Sequence, residues 1–328
     1  MSEKLFIFWH YLSRLATVLC LCANCTLVLA TPSANEPISP LPKRPYAHPH
    51  IVQLGKILFN DVRLSRDNSI SCAACHNLAK GGDDGQKTST GIDGKRGTRN
   101  APTVINSSLN MAQFWDGRVN SLSHQVMGPI TNPNEMGSEW DSLLEKLRKD
   151  LELSAQFERV YADGITRENV IDALVTFERQ LISNNTPFDK YLQGIPNSIS
   201  AFAEQGYKTF KQIGCAACHQ GKNVGGNMYQ NFGVVIPYPK PDSDDNKEDY
   251  GRYEATGKES DRYKFRVPSL RNVTETAPYF HDGSEATLEG AVRKMVHHQI
   301  GRPIDDESVR AILAFLKTLR GEVSGDLL

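Results

Sequence analysis

Two short strings decide how this chain reads: Gly55-Lys-Ile-Leu-Phe59 ahead of Cys72-Ala-Ala-Cys-His76, and Gly206-Tyr-Lys-Thr-Phe210 ahead of Cys215-Ala-Ala-Cys-His219. The two Cys-Ala-Ala-Cys-His motifs are offset by 143 positions, and each is followed by a glycine pair, Gly81-Gly82 and Gly225-Gly226. Farther on, Pro102, Asn106, Asp116, Gly117 and Leu122 recur as Pro268, Asn272, Asp282, Gly283 and Leu288, all offset by 166. Self-similarity held at one offset marks a duplicated structural unit. The two offsets differ because the second copy carries about 23 extra residues, including the acidic, proline-containing stretch 237–249.

Between these landmarks the apolar residues recur at helical spacing. Val119, Leu122, Val126 and Ile130 share a face, as do Leu143, Leu144, Leu147 and Leu151. Val170, Ile171, Leu174, Phe177 and Leu181 repeat the pattern, and so do Val309, Ile312, Leu313, Leu316 and Leu319. No Asn-Gly turn sits between alternating strands, so little sheet is expected. The reading is an all-α protein of two related units, with long loops around each Cys pair.

The 328 residues carry 37 Lys+Arg against 38 Asp+Glu, a balance that argues against a nucleic-acid or acidic-lipid binder. Residues 1–30 place Lys4 and Arg14 ahead of the apolar run 15–30, which ends Val28-Leu-Ala30. That is the layout of a secretory signal peptide, removed together with Cys20, Cys22 and Cys25. A retained membrane anchor is the alternative, but the run is interrupted by Asn24 and short of the roughly 20 residues a span needs. The expected divisions are 1–30 leader, 31–49 proline-rich arm, 50–183 first unit, 184–322 second unit and 323–328 tail. A periplasmic location follows, with no stable membrane span after cleavage.

Cys-x-x-Cys-His in an exported chain is the attachment motif of c-type haem: two thioether bonds hold the porphyrin, and the adjacent His is an axial ligand. Cys72, Cys75 and His76 would hold one haem, and Cys215, Cys218 and His219 a second. A zinc site or a redox dithiol are the alternatives. Zinc wants further ligands at each site, and dithiols rarely carry the His. What fills the sixth position of each iron decides function, since methionine suits electron transfer and an open position admits a small oxidant. By chemistry alone, Met295, His281, His297 and His298 all compete for that place.

The string Asn100-Ala-Pro-Thr-Val, Gln113-Phe-Trp-Asp-Gly-Arg118, Gln125, Gly128-Pro129 and Glu135-Met136 closely resembles the bacterial di-haem cytochrome c peroxidases and their MauG-like relatives. So do Pro187-Phe-Asp-Lys-Tyr191, Val267-Pro-Ser-Leu-Arg-Asn272, Thr276-Ala-Pro-Tyr-Phe-His-Asp-Gly283 and Met295, in order, over residues 50–322. The resemblance implies two cytochrome c-like domains, the first peroxidatic and the second the electron-entry domain with Met295 as sixth iron ligand. It also implies Glu135 as the distal acid, Gln125 as its hydrogen-bonding neighbour and Trp115 as the indole between the haems. Asn100, Thr276 and Pro278 match positions that bind Ca²⁺ through oxygens. Without the resemblance, Trp115 reads as a core residue and Glu135 as a solvated loop acid. The implied reaction is reduction of hydrogen peroxide to water with electrons from a small cytochrome c or cupredoxin, Glu135 moving the proton. A carboxylate there should have a raised pKa through partial burial. The family is commonly dimeric, which implies a homodimer.

Two other readings stand beside this one. A MauG-like enzyme would oxidise Trp or Tyr of a partner protein, although the quinone-maturing type carries tyrosine where Met295 stands. A plain di-haem electron carrier would need neither Gln125 nor Glu135. One departure bears on the choice. The relatives supply a capping His from the loop before Asn100, and counting back from Asn100 puts Ile92 there. No His occurs between His76 and His124. His48, His50 and His124 are the only nearby substitutes, and each reads as a surface residue.

Overall fold

Each Cys-Ala-Ala-Cys-His motif hangs from a pair of crossed helices, and in both pairs a glycine makes the crossing close. A computed structural model describes residues 36–238 and 248–328; the leader, residues 31–35 of the arm, and Cys20, Cys22 and Cys25 lie outside the described residues. In the first half, helix Pro49–Phe59 lies across helix Arg167–Gln180. A Cβ placed on Gly55 would fall on the carbonyl of Ala173. In the second half, helix Ala201–Ile213 lies across Asp306–Lys317, and a Cβ on Gly206 would fall on the carbonyl of Ala311. Glycine in a helix costs about 0.5–1 kcal/mol relative to alanine, a cost offset here by the contact of two backbones. The ring pairs Phe59–Phe177 and Phe210–Phe315 follow the same plan, with centroids 5.3 and 5.2 Å apart.

The other repeated landmarks also do the same work twice. Asn106 and Asn272 both adopt left-handed backbone, at φ 62° and 58°. The Asn106 N–H donates to the Leu181 carbonyl, and its side-chain oxygen accepts from Ser183 N–H at 2.9 Å. The Asn272 N–H donates to Leu319, and its side chain bonds both polar groups of the Gly321 backbone, at 2.9 and 3.2 Å. Each asparagine thus ties the loop after a haem motif to the chain leaving the long helix of that half.

Two apolar clusters result. One contains Leu54, Leu58, Leu143, Leu147, Phe157, Leu174 and Phe177; the other contains Phe188, Tyr207, Phe210, Ile312, Phe315 and Leu319. Helices Leu122–Thr131, Trp140–Arg148 and Arg167–Gln180 bury the expected faces. Two residues depart from expectation. Val119 precedes its helix and pairs with Gln113 in a bridge. Leu151 is 82% exposed, because Asp150 caps a new helix, Leu151–Glu158, and breaks the register.

The chain ends cross over. Ile38, in the proline-rich arm, is buried in the second cluster and bridges Gly221, while Ser39 accepts from Arg271. Leu327, in the C-terminal tail, is buried in the first cluster. The second half also holds a two-stranded antiparallel ribbon, Tyr229–Asn231 with Lys264–Arg266, pairing Tyr229 with Arg266. It clasps the first half. Tyr229 donates to the Gly117 carbonyl at 3.1 Å, Arg252 donates to Asp116 and Gly117 carbonyls, and Arg99 pairs with both Asp116 and Asp249. Among the described residues, no helix is long and apolar enough to cross a membrane.

Candidate haem centres

In both motifs the histidine is presented in the form a metal needs. The His76 N–H closes a turn on the Cys72 carbonyl and the His219 N–H on Cys215, both at 2.9 Å. The Nδ1 atoms face backbone carbonyls, Gly82 at 3.2 Å and Val224 at 3.4 Å. A carbonyl can only accept, so Nδ1 carries the proton and Nε2 keeps its lone pair for a metal. Burial lowers both pKa values, that of His219 to about 4, which keeps the rings neutral.

The cysteines are set up differently from a redox pair. Burial pushes Cys72 up to about 12 and Cys215 up to about 11, and raises Cys75 as well. A reactive dithiol needs the opposite shift. Among the described residues, no group of three or more His, Cys, Asp or Glu is placed to hold a metal ion.

A cavity of about 390 Å³ opens beside the second motif. Cys215, Cys218 and His219 line it, Met295 reaches it from the end of helix Leu288–Met295, and Phe210, Phe265 and Leu316 are among its apolar lining. Of the rival histidines, His281 also lines it, its ring stacked on Phe265 at 4.0 Å. His297 is exposed, and His298 is held by the Ile236 carbonyl at 3.0 Å, away from the cavity wall. Thioether-forming thiols, a neutral imidazole, a methionine and an apolar wall fit haem well. Trp115, from the first half, closes another side; it is 9% exposed and its indole N–H donates to the Asn100 carbonyl at 2.9 Å. Asn100, Thr276 and Pro278 line the same cavity, and the Asn100 amide donates to Gln86 O at 2.9 Å.

At the first motif, Glu135 is half-buried and accepts from the Asn132 amide at 2.7 Å. Burial raises its pKa against the opposing pull of Asn132 and the Arg118 charge, the direction expected for a distal acid. The loop bearing Ile92 is pressed against this turn. Ile92 N–H donates to the Glu135 carbonyl at 2.8 Å, and a Cβ on Gly91 would strike the Asn134 carbonyl. Ile92 itself is buried. Gln125 is half-buried on helix Leu122–Thr131, whereas His48, His50 and His124 are exposed.

Three buried ionisable residues escaped the sequence reading. Arg266 lines the cavity at 3% exposure, Asp83 lines it at 2% with its pKa pushed up to about 7, and Glu178 lies buried near Cys72. Arg266 immediately precedes Val267-Pro-Ser-Leu-Arg-Asn272, so its adjacency to a quoted motif was the available signal. Nothing local marked Asp83 or Glu178.

Fold and site together define a helical protein with two c-haem attachment sites. Comparison with known proteins places it further. Residues 49–197 match the model of the di-haem cytochrome c peroxidase family. The chain is 45% identical over 288 residues to cytochrome c peroxidase Ccp of Escherichia coli (strain K12), a match covering 88% of this chain but only 62% of that relative. It is 43% identical over 291 residues to cytochrome c551 peroxidase of Nitrosomonas europaea, covering 88% and 86%. A solved MauG-like protein associated with microbial copper homeostasis aligns with a TM-score of 0.73 at 26% identity, covering 89% and 96%. The chain belongs to the di-haem cytochrome c peroxidase family, a family of oxidoreductases with two c-type haems.

Proposed function

We propose that this chain is a periplasmic peroxidase that reduces hydrogen peroxide to water with electrons from a small cytochrome c or cupredoxin. The observation that carries the reading is Glu135, a half-buried carboxyl with a raised pKa in the turn packed against the first motif's loop. The bound haems supply the iron redox chemistry, held through Cys72, Cys75 and His76 and through Cys215, Cys218, His219 and Met295. The residues do the rest. Glu135 takes a proton from the near oxygen of peroxide and returns it to the far one, so that water leaves. Asn132 aims the carboxyl, and Gln125 is assigned as a hydrogen-bonding neighbour. Trp115 is assigned as the relay between the two centres, supported by its place in the wall of the second cavity. Ca²⁺ is assigned to Asn100, Thr276 and Pro278; the buried Asp83 on the same wall favours a cation there.

We further propose that Ile92 leaves the first haem's distal side without a histidine cap. The exposed positions of His48, His50 and His124 support this. The same departure favours the second reading, a MauG-like oxidation of a partner's Trp or Tyr. One titration separates them: diferric protein receives peroxide with and without reduced cytochrome c. Peroxidase turnover with the cytochrome, and one high-spin and one low-spin iron by EPR beforehand, is the expected result. Two low-spin irons, with a lag removed only by pre-reduction, would show that another ligand caps the site. Absence of turnover with cytochrome would overturn the peroxidase assignment.

A further inference from the structure

Two arginines are buried in the second half, and they differ in one respect. The Arg271 side chain is fully buried and fully partnered: Asp189 at 2.7 Å, the Thr186 hydroxyl at 3.3 Å, and the carbonyls of Lys222 and Ser39 at 3.0 and 3.1 Å. Arg266 is 3% exposed and, among the described residues, has no carboxylate beside it. Its Nε donates to the Phe114 carbonyl at 3.3 Å; among the described residues its Nη1 has no partner and the Tyr229 phenol is the one titratable group that acts on it. Burial drives its pKa down to about 10.

A buried guanidinium without a counter-charge is costly, and a donor left without an acceptor adds to the cost. The ribbon nevertheless holds this one in place: Arg266 sits opposite Tyr229, its N–H bonded to the Trp115 carbonyl at 2.8 Å. The side chain lines the cavity that also receives Cys215, Cys218, His219 and Met295. The protein therefore brings an unpaired cation to a cavity whose ligand arrives with two carboxylates. We propose that Arg266 is the counter-cation of a haem propionate at the second motif, a positioning residue that sets the charge state next to the electron-entry haem. Guanidinium geometry suits this, since its N–H fork matches a carboxylate in a way an ammonium does not. The inference rests on the di-haem reading and adds a residue to it.

The test uses the haem-loaded chain, Arg266→Gln and Arg266→Lys. Haem content is counted by mass spectrometry, and the midpoint potential of each haem is followed by spectroelectrochemistry from pH 5 to pH 9. With two haems retained, Arg266→Gln should lower the Met295-side potential at pH 8. It should also introduce a pH dependence below that, as the unpaired propionate takes up a proton; the other haem should not move. Arg266→Lys should restore most of the potential. It should still shift the propionate bands in the resonance Raman spectrum, because the bidentate contact is lost. Should the glutamine variant fail to fold, the lysine variant's Raman shift decides the matter. Unchanged potentials, pH profile and Raman bands at full haem content would overturn the assignment while leaving the di-haem reading intact. An unaltered chain without two haems would instead defeat the reading on which it rests.

Discussion

Glu178 offers a quantitative test of how the first half is built. It lies on helix Arg167–Gln180 at 6% exposure, and burial raises its pKa from 4.5 to about 8. The folded state therefore keeps a proton that the unfolded chain releases near pH 4.5. Between those values the native protein binds more protons than the unfolded one, so stability falls as pH rises from 4.5 to 8 and levels off above. At 1.36 kcal/mol per unit, the full penalty is about 5 kcal/mol, of which about 4 kcal/mol develops between pH 5 and pH 8.5. Glu178→Gln keeps the shape and removes the titration. Urea denaturation of the haem-loaded protein, followed by far-UV circular dichroism, should show the variant nearly matched to wild type at pH 5. At pH 8.5 it should be more stable by several kcal/mol. Parallel stability curves for the two proteins across that range would refute the reasoning, because they would mean the carboxyl is ionised at no cost in the native state.

Other outcomes follow from the same structure. Mass spectrometry of the exported protein should show two haem additions, and Cys72→Ala or Cys215→Ala should each compromise attachment at one site. Glu135→Gln should slow peroxide turnover by about 10²–10⁴-fold, the usual contribution of a general acid–base group, with haem content unchanged. Gly206→Ala should destabilise by about 1–3 kcal/mol in a urea melt despite alanine's better helix propensity, because the new Cβ meets the Ala311 carbonyl.

The duplication was legible because its landmarks are chemically demanding. Cys-Ala-Ala-Cys-His must be complete to attach haem, and the Asn106 and Asn272 backbones sit in a left-handed conformation that asparagine tolerates. Helical faces were legible where one periodic run made one helix, as at Leu143, Leu144 and Leu147. They failed at Leu151, where a capping aspartate restarts the helix and the periodic run continues by coincidence. The crossing of the chain ends was not legible at all. Ile38 lies in a proline-broken arm and Leu327 in a short tail beside Val323 and Leu328, and segments so short or so interrupted have no period to betray burial. Arg266 and Glu178 were missed for a related reason: burial of a charge is decided by tertiary neighbours, and local sequence predicts exposure for both.

The ribbon ties the two halves of the chain together. The duplicated halves share crossed helices, haem motif and asparagine tie, yet a relay between two centres needs a fixed distance that duplication alone does not supply. The ribbon provides a fixation point. Arg266 N–H donates to the Trp115 carbonyl, the Trp115 indole donates to the Asn100 carbonyl, and Asn100 N–H donates to the His281 carbonyl. Main chain from the first half is thus bonded on both sides of the indole to main chain from the second. Arg99 adds charge-assisted bonds from the same loop to Asp116 and Asp249, buried enough to resist screening. A side chain fixed through backbone bonds in both halves moves only if the halves separate. That rigidity is what the relay assignment for Trp115 requires.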